Sequence, residues 1–316
     1  MVSRPPLLAL VGPTGVGKTA VAVRLAQQIA IEVVSADSRQ VYRGMDIGTG
    51  KPTADELTAV THHLIDVVDP AERYHAARFR ADALAAIAGV HDRGRLPVVV
   101  GGTGLYVRAL LRGLAPAPPA DPALRGELER FAETHGAAAL HARLAGVAPE
   151  TARRLHPNDR VRIVRALEVH AHRAAVPARA GEGDWAEPPR PWRLLMIGLA
   201  RERTRLRAAL AERARSMLAR GMMDEVRRLL QAGYDPARPP MDGIGYRQLA
   251  LAVQGRMAEA EALRLMIRDT TRYAKRQMTW FAREPEIRWL DVDEAGGIEG
   301  AAEAVLKQLT REGLIE

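Results

Sequence analysis

The stretch GPTGVGKT, residues 12–19, decides the fold, because it matches the phosphate-loop pattern G-x-x-x-x-G-K-[ST] at every defined position. Its glycines let the backbone turn tightly and direct N–H groups at phosphate oxygens. A short apolar run at 7–11 precedes it, and helical periodicity follows over 17–30. A strand, a glycine loop and a helix in this order predict a P-loop protein that binds a phosphorylated ligand.

Each part of this loop has an expected role. Lys18 reaches the terminal phosphate, the Thr19 hydroxyl holds Mg²⁺, and the helix N-terminus adds a favourable dipole. The residues expected to bind the phosphate groups of the ligand are Gly12, Pro13, Thr14, Gly15, Val16, Gly17, Lys18 and Thr19. The motif does not identify the reaction, since nucleotide hydrolases, kinases and group transferases all use it.

Apolar runs at 31–35, 63–67 and 96–100 predict three further strands, with an Ala-rich helix at 75–93 between the last two. Strands that alternate with helices of this length indicate an α/β fold, with a parallel sheet covered by helices on both faces. A strand at 192–199 and another at 286–290 extend the sheet. We predict the remaining helices at 202–220, 222–232, 246–254, 257–283 and 298–313.

Two proline-rich segments interrupt this pattern. APAPPADP at 115–122 contains four prolines, and 174–191 is again rich in proline and glycine. Proline sustains neither a central strand nor a helix interior. Between them, 122–173 shows helical character without a strand. We therefore predict a P-loop core formed by 1–115 and 191–316, with a small all-helical insertion at 116–190.

The bulk composition narrows the classes of function. The chain has 316 residues, no cysteine, and a net charge of +8 with a pI near 10.2. Without cysteine, disulfides and cysteine-ligated zinc are excluded, which fits a reducing compartment. The five apolar residues at 7–11 are too few for a secretion signal or a membrane span. We expect a cytoplasmic protein, and the basic balance favours a polyanionic partner.

Polar residues follow two strands whose carboxyl ends should flank the P-loop. Asp37 follows the second strand and is a candidate general base or metal partner, although an aspartate there is equally suited to cap the next segment. Thr103 is the polar residue of GGTG, 101–104, after the fourth strand. A motor ATPase often carries aspartate at that place, so its absence weighs against nucleotide hydrolysis. We expect Asp66 and Asp69 to be turn residues.

Basic residues are concentrated on two predicted helical surfaces. Arg264, Arg268, Arg272 and Arg276 recur every four residues, near Tyr273, Lys275, Trp280 and Phe281. The insertion carries Arg153, Arg154, His156, Arg160, Arg162 and Arg165. Basic residues with aromatic neighbours suit contact with RNA phosphates and bases. A solvated face with intrahelical ion pairs is the alternative for each cluster.

Seven segments of the chain together resemble one family, the tRNA dimethylallyltransferases, also called tRNA isopentenyltransferases. They are GPTGVGKT (12–19), SADSRQVYRGMDIGTGKP (35–52), GGTGLY (101–106), HPNDRVRIVRALEV (156–169), GMMDEV (221–226), IGYRQL (244–249) and KRQMTWF (275–281). The resemblance covers essentially the whole chain. The sequence departs from the family at Ala282, where a basic residue often follows the aromatic one.

The resemblance implies transfer of the dimethylallyl group of dimethylallyl diphosphate to the exocyclic N6 amine of the adenosine 3′-adjacent to the tRNA anticodon. Diphosphate leaves, Mg²⁺ assists, and no zinc is required. Asp37, Thr103 and Lys18 would be catalytic, with Asp37 as the base. The implied tRNA contacts are Asp37, Ser38, Arg39, Gln40, Thr103, Val161, Arg162, Ile163, Val164, Arg165, Asp242, Gly243, Ile244, Gly245, Tyr246, Arg247, Lys275, Arg276, Gln277, Met278, Thr279, Trp280, Phe281 and Ala282.

Two other classes of function remain open from the residues alone. One is a P-loop small-molecule kinase with the insertion as a lid, and the other is an RNA-binding NTPase without transfer chemistry. The two basic clusters disfavour the kinase, and the glycine after the fourth strand disfavours the NTPase. A monomer is the expected state.

Overall fold

The computed structural model describes residues 4–114, 117–118, 120–172 and 191–315. They fall into two compact units, one within Met1–Leu111 and Pro189–Glu316 and the other within Arg112–Pro188. The described part of the second unit contains helices and no strand. The insertion predicted at 116–190 overlaps this unit, and most of the segment predicted to be irregular at 174–191 lies outside the described residues.

The first unit contains a six-stranded parallel sheet with the order β3-β2-β4-β1-β5-β6. Its strands are β1 (Pro6–Val11), β2 (Ile31–Ser35), β3 (His62–His63), β4 (Leu96–Gly101), β5 (Arg193–Ala200) and β6 (Arg288–Asp291). β1 lies between β4 and β5, so the P-loop that follows it emerges at the middle of the sheet. The predicted α/β class and parallel sheet are confirmed.

Helices cover both faces of this sheet. They are α1 (Lys18–Ala26), α2 (Ala54–Ala59), α3 (Ala76–Asp92), α4 (Gly104–Arg112), α8 (Arg203–Ala219), α9 (Met222–Gln231), α10 (Tyr246–Val253), α11 (Glu259–Phe281) and α12 (Gly297–Arg311), while α5 to α7 belong to the second unit. Side chains of β1 alternate between two cores. Leu7 and Ala9 join the core that contains α3 and α9, whereas Leu8 and Leu10 join the core of α1 and α12.

The predicted third strand is wrong beyond its first residue. β3 is His62–His63, and the chain turns away afterwards, because Leu64 and Asp66 have φ values of 64° and 59°. A strand needs negative φ. The side chain of Lys51, only 6% exposed, forms ion pairs with Asp66 and with Asp46, the latter at 2.6 Å. The Lys51–Asp66 ion pair favours the turn that replaces the strand.

The second unit has its own small core. Its helices are α5 (Pro122–Val147), α6 (Pro149–Arg154) and α7 (Arg160–Ala171), and α5 is interrupted at Gly136, which has a φ of 85°. Leu128, Leu140 and Ile163 are buried between the helices. In the parts of the chain that are described, no helix is long and apolar enough to cross a membrane.

Candidate active site

The P-loop turns between β1 and α1 in a conformation that requires glycine. Gly12 and Gly17 have φ values of 140° and 106°, which side chains disfavour. A Cβ atom on Gly12 would lie 2.4 Å from the Leu199 carbonyl oxygen of β5. Val16 is fully buried and anchors the loop. The loop is therefore fixed against the neighbouring strand before any ligand binds.

Lys18 folds back onto this loop. Its Nζ donates hydrogen bonds to the carbonyl oxygens of Gly12, at 2.9 Å, and Pro13, at 2.7 Å. Burial lowers the pKa of Lys18 to about 7; the Asp37 carboxylate opposes this shift and the Arg213 guanidinium adds to it. The lysine charge is thus destabilised in the unliganded loop, and a bound phosphate would stabilise it.

The ends of β2 and β4 meet beside the loop. The Asp37 Oδ1 atom accepts hydrogen bonds from the backbone N–H groups of Arg39, at 2.8 Å, and Gln40, at 3.4 Å. This is an Asx turn, so Asp37 caps its own segment and also lines the cleft described below. The Thr103 hydroxyl accepts from the Ser38 N–H at 3.0 Å and joins the two strand ends.

Gln277 fixes the P-loop to α11 and β4. Its Oε1 atom accepts from the Thr14 N–H at 2.9 Å, and its Nε2 atom donates to the Gly102 carbonyl at 2.9 Å. The residue is only 6% exposed. A Cβ atom on Gly102 would lie 2.3 Å from that Nε2 atom, so glycine is required for the contact. The carboxamide is used within the protein, and its implied contact with tRNA stays a prediction.

A cleft of about 410 Å³ opens beside the P-loop within the first unit. Burial raises the pKa of Tyr273 in its wall to about 12, and the Asp37 carboxylate adds to this shift, so the phenol keeps its proton. The lining residues are Thr14, Asp37, Ser38, Arg39, Gly48, Thr49, Leu210, Arg213, Ala214, Met217, Asp242, Gly243, Ile244, Tyr246, Arg247, Met266, Thr270, Tyr273 and Arg276. The structure therefore gathers Asp37–Arg39 and most of 242–247 in one place.

Arg213 is a cleft residue that sequence reasoning missed. It is half-buried on α8, and its Nη2 atom donates to the Gly50 carbonyl at 3.4 Å. Burial lowers the pKa of Arg213, and the Asp37 carboxylate partly offsets this effect. It stands among many arginines of α8 and matches no motif, so only its i+3 spacing from the buried Leu210 hinted that it faces inward.

Buried carboxylates hold two loops of the cleft in place. Glu225, 1% exposed, accepts hydrogen bonds from the N–H groups of Asp46 (2.9 Å), Ile47 (2.8 Å) and Gly48 (3.1 Å), and from the Tyr246 hydroxyl (2.6 Å). Asp269 accepts hydrogen bonds from Arg247, at 2.7 Å, and Gln248, at 2.9 Å. A desolvated carboxylate needs such donors. Three of the family-like segments, 35–52, 221–226 and 244–249, meet at Glu225.

The basic stripe of α11 is partly consumed by ion pairs. Arg264 pairs with Glu261 at 2.6 Å, and Arg268 with Asp269 at 2.9 Å. The next turns form an open surface groove lined by Arg272, Lys275, Arg276, Thr279, Trp280 and Arg283. Of the implied contacts here, Phe281 is buried at 1% exposure, Met278 is half-buried and Ala282 is exposed. The ion-paired interpretation therefore applies at Arg264 and Arg268, and RNA contact at the later turns stays a prediction.

The implied tRNA contacts of the second unit also include both exposed and buried residues. Val161 is 81% exposed on α7, and Arg162 beside it is exposed as well. Ile163 and Val164 are buried in the core of the unit. Arg165 pairs with the fully buried Glu168. Only the outward residues of 161–165 are available to a partner in this arrangement.

Family models match nearly the whole chain. The model described as "IPP transferase" matches residues 40–284, and the one described as "Isopentenyl transferase" matches residues 5–72. The chain is 45% identical to a tRNA dimethylallyltransferase of Desulforudis audaxviator, over 99% of this chain and 100% of the relative. It is 50% identical to tRNA dimethylallyltransferase 1 of Syntrophotalea carbinolica, over 91% of each.

Solved structures give the same result. The crystal structure of a full-length tRNA isopentenylpyrophosphate transferase from Bacillus halodurans has a TM-score of 0.70 and 38% identity, with 98% of each chain covered. A eukaryotic dimethylallyltransferase acting on tRNA has a TM-score of 0.71 and 26% identity, over 91% of this chain and 74% of that chain.

The half-buried Lys18 should make phosphate binding depend on pH. An anion favours the charged lysine, so binding raises the pKa above its free value of about 7. Affinity for methyl diphosphate should be full below pH 7 and fall as the pH rises, by up to about tenfold per unit. The last ionisation of methyl diphosphate itself has a pKa of about 6, as for a phosphate monoester.

Calorimetry in two buffers of different ionisation enthalpy should detect proton uptake on binding at pH 8. Lys18→Met should abolish that uptake. Lys307→Met, at an exposed position of α12, should retain it. A wild-type affinity that stays constant above pH 7 would contradict this role for Lys18.

Proposed function

The chain belongs to the tRNA dimethylallyltransferase family, and we propose that it moves the dimethylallyl group of dimethylallyl diphosphate to the N6 amine of the adenosine 3′-adjacent to the tRNA anticodon. The single observation that best supports this function is the cleft that joins the P-loop to Asp37. It places a phosphate-binding loop and a carboxylate where a diphosphate ester and an amine could react.

The diphosphate of the donor binds at the P-loop in this proposal. The N–H groups of 15–19, Lys18 and Arg213 neutralise the charge that develops on the leaving group. Burial already lowers the pKa of both cations, so a bound diphosphate gains more from them than it would in water. Gln277 holds the backbone of the loop, so donor binding requires Lys18 to leave the Gly12 and Pro13 carbonyls but little movement of the backbone itself.

The residues present also fit a magnesium ion. No cluster of three or more His, Cys, Asp or Glu suited to a metal occurs in the described ranges, but Mg²⁺ usually takes few protein ligands together with substrate phosphates. No hydrogen bond joins the Thr19 hydroxyl to another described residue, so this oxygen is free to coordinate. Thr19 would hold the ion against the diphosphate, and bound Mg²⁺ would supply charge neutralisation for the leaving group.

Asp37 accepts the proton that the amine loses. As the C–O bond to diphosphate breaks and the C–N bond forms, the N6 nitrogen becomes acidic, and one of its protons passes to the Asp37 carboxylate. Oδ1 is held by the Asx turn, which orients the group. Thr103 positions this segment through Ser38. The adenine leaves its stack to enter the cleft, which costs less in a loop than in a duplex.

The tRNA contacts we propose combine the groove of α11 with the outward residues of α7. In the groove, Lys275 and its arginine neighbours would contact phosphates, and Trp280 would stack on a base. Most of the residues 242–247 line the cleft itself and would contact the extruded nucleotide. Kinase and NTPase activities are not favoured, because the relatives are named as tRNA dimethylallyltransferases.

We also propose that the protein acts in the cytoplasm as a monomer. Zero cysteines suit a reducing compartment, and the family's substrate is tRNA.

The decisive experiment supplies dimethylallyl diphosphate labelled in its prenyl group together with unmodified tRNA. Label should appear in the tRNA in single-turnover reactions. Asp37→Asn should slow transfer by about 10²- to 10⁴-fold, because proton acceptance is lost. Affinity for tRNA should change little. Asp55→Asn, at an exposed position of α2, should leave transfer unaffected. Wild-type transfer rates in Asp37→Asn would exclude Asp37 as the base.

Arg213→Ala should weaken use of the donor. A charge-assisted hydrogen bond contributes about 1.5–3 kcal/mol, so kcat/KM for dimethylallyl diphosphate should fall roughly 10- to 100-fold at saturating tRNA. The matched control is Arg215→Ala on the same helix, where the arginine pairs with an exposed glutamate, Glu212, at 3.2 Å. Equal losses in both variants would show that Arg213 has no special part in donor binding.

Lys275→Ala should reduce the salt dependence of tRNA binding. One phosphate contact fewer lowers the slope of log K against log salt by about one. Filter binding between low and moderate salt would measure it. Arg264→Ala, where Glu261 already neutralises the arginine, is the control and should leave the slope unchanged. An unchanged slope in Lys275→Ala would remove that residue from the tRNA contacts.

A further inference from the structure

The cleft that contains Asp37 and Arg213 has an apolar end. Ala214 and Met217 of α8 line it together with Met266 of α11, and their exposures are 2%, 5% and 3%. The rest of its lining is largely polar or charged. A desolvated apolar end beside a phosphate site is suited to the hydrocarbon part of an amphiphilic ligand.

The residues of α8 that line the cleft follow one another from the P-loop towards the apolar end. Leu210 touches the P-loop, because a Cβ atom on Gly15 would lie 2.6 Å from its Cδ2 atom. Arg213 and Met217 meet at Gly50, where a Cβ atom would lie 1.8 Å from the Arg213 Nη2 atom and 3.2 Å from the Met217 Cε atom. The same helix face therefore runs from the phosphate loop through a cation to a methionine.

Met222 and Met266 both lie against Gly245 at this end of the cleft. A Cβ atom on Gly245 would lie 2.6 Å from the Met222 Cε atom and 3.4 Å from the Met266 Cε atom. A Cβ atom on Gly48 would lie 2.5 Å from the same Met222 atom. The absent side chains of these glycines leave room for flexible thioethers, which adapt to a branched hydrocarbon.

We propose that Ala214, Met217 and Met266 bind the prenyl group of the donor, and that Met217 limits its length to one isoprene unit. The inference rests on the proposed function, since it assumes a prenyl diphosphate with its phosphates at Lys18 and Arg213. Along the helix axis, Arg213 and Met217 are about 6 Å apart at 1.5 Å per residue, close to the length of such a unit. The apolar walls also keep water from the allylic carbon.

The first test removes the side chain that is proposed to limit the length of the prenyl group. Met217→Ala should raise the ratio of kcat/KM for geranyl diphosphate to that for dimethylallyl diphosphate by at least about tenfold, since space for a second unit opens. Met223→Ala is the matched control, because Met223 lies on α9, is partly buried and does not line the cleft. An unchanged ratio in Met217→Ala, or an equal rise in Met223→Ala, would overturn the proposal.

The second test separates the prenyl group from the diphosphate. Ala214→Leu fills the pocket, so it should weaken dimethylallyl diphosphate binding at least about tenfold and leave inorganic diphosphate affinity unchanged. Thermal unfolding would verify that the variant folds, and Ala214→Val serves if it does not. Equal weakening of both ligands in a folded variant would place the prenyl group elsewhere.

A failure of the proposed function can be distinguished by experiment from a failure of the prenyl-pocket assignment. If the wild-type protein transfers no label from dimethylallyl diphosphate to tRNA, the proposed function fails. If the wild type transfers label but the substitutions at 214 and 217 leave donor selectivity unchanged, only the assignment of the prenyl pocket fails.

Discussion

The site depends on the close packing of the P-loop against its neighbours. Gly12 lies against the Leu199 carbonyl of β5, and Gln277 joins the Thr14 N–H to the Gly102 carbonyl of β4. Three parallel strands and α11 are thereby held at one point. Because β1 is central in the sheet, the loop, the β2 end with Asp37 and α8 all converge on the same cleft.

The charged side chains at this cleft are of two kinds: carboxylates that are fully hydrogen-bonded within the protein, and cations that are only partly compensated. Buried carboxylates such as Glu225 and Asp269 are surrounded by donors, so they fix loops and have little capacity left for a ligand. Lys18 and Arg213 are different, because burial lowers the pKa of each and the only carboxylate that opposes the shift at both is Asp37. Two incompletely compensated cations favour an anionic ligand, and a diphosphate supplies the missing charge.

The sequence predicted the parts whose physics is local. The P-loop pattern, the apolar strands β1, β2, β4 and β5 and the helical character of the insertion follow from spacing and propensity, and the structure contains them. The strand at 64–67 fails because an ion pair with Lys51 favours a turn. Arg213 was missed because its role depends on the packing of α8. Gln277 was expected only as a tRNA contact, and its bridge between the P-loop and β4 was not foreseen because its partners are more than 170 residues away.

Helix α11 links the two halves of the chemistry through its periodicity. Residues at 266, 270, 273 and 277 face the cleft and the P-loop, whereas those at 272, 275, 279 and 283 form the basic groove. Arg276 lines both. One rigid helix therefore touches the donor site on one side and presents cations on the other. If RNA binds in this groove as proposed, the helix would help to position it relative to the proposed diphosphate site.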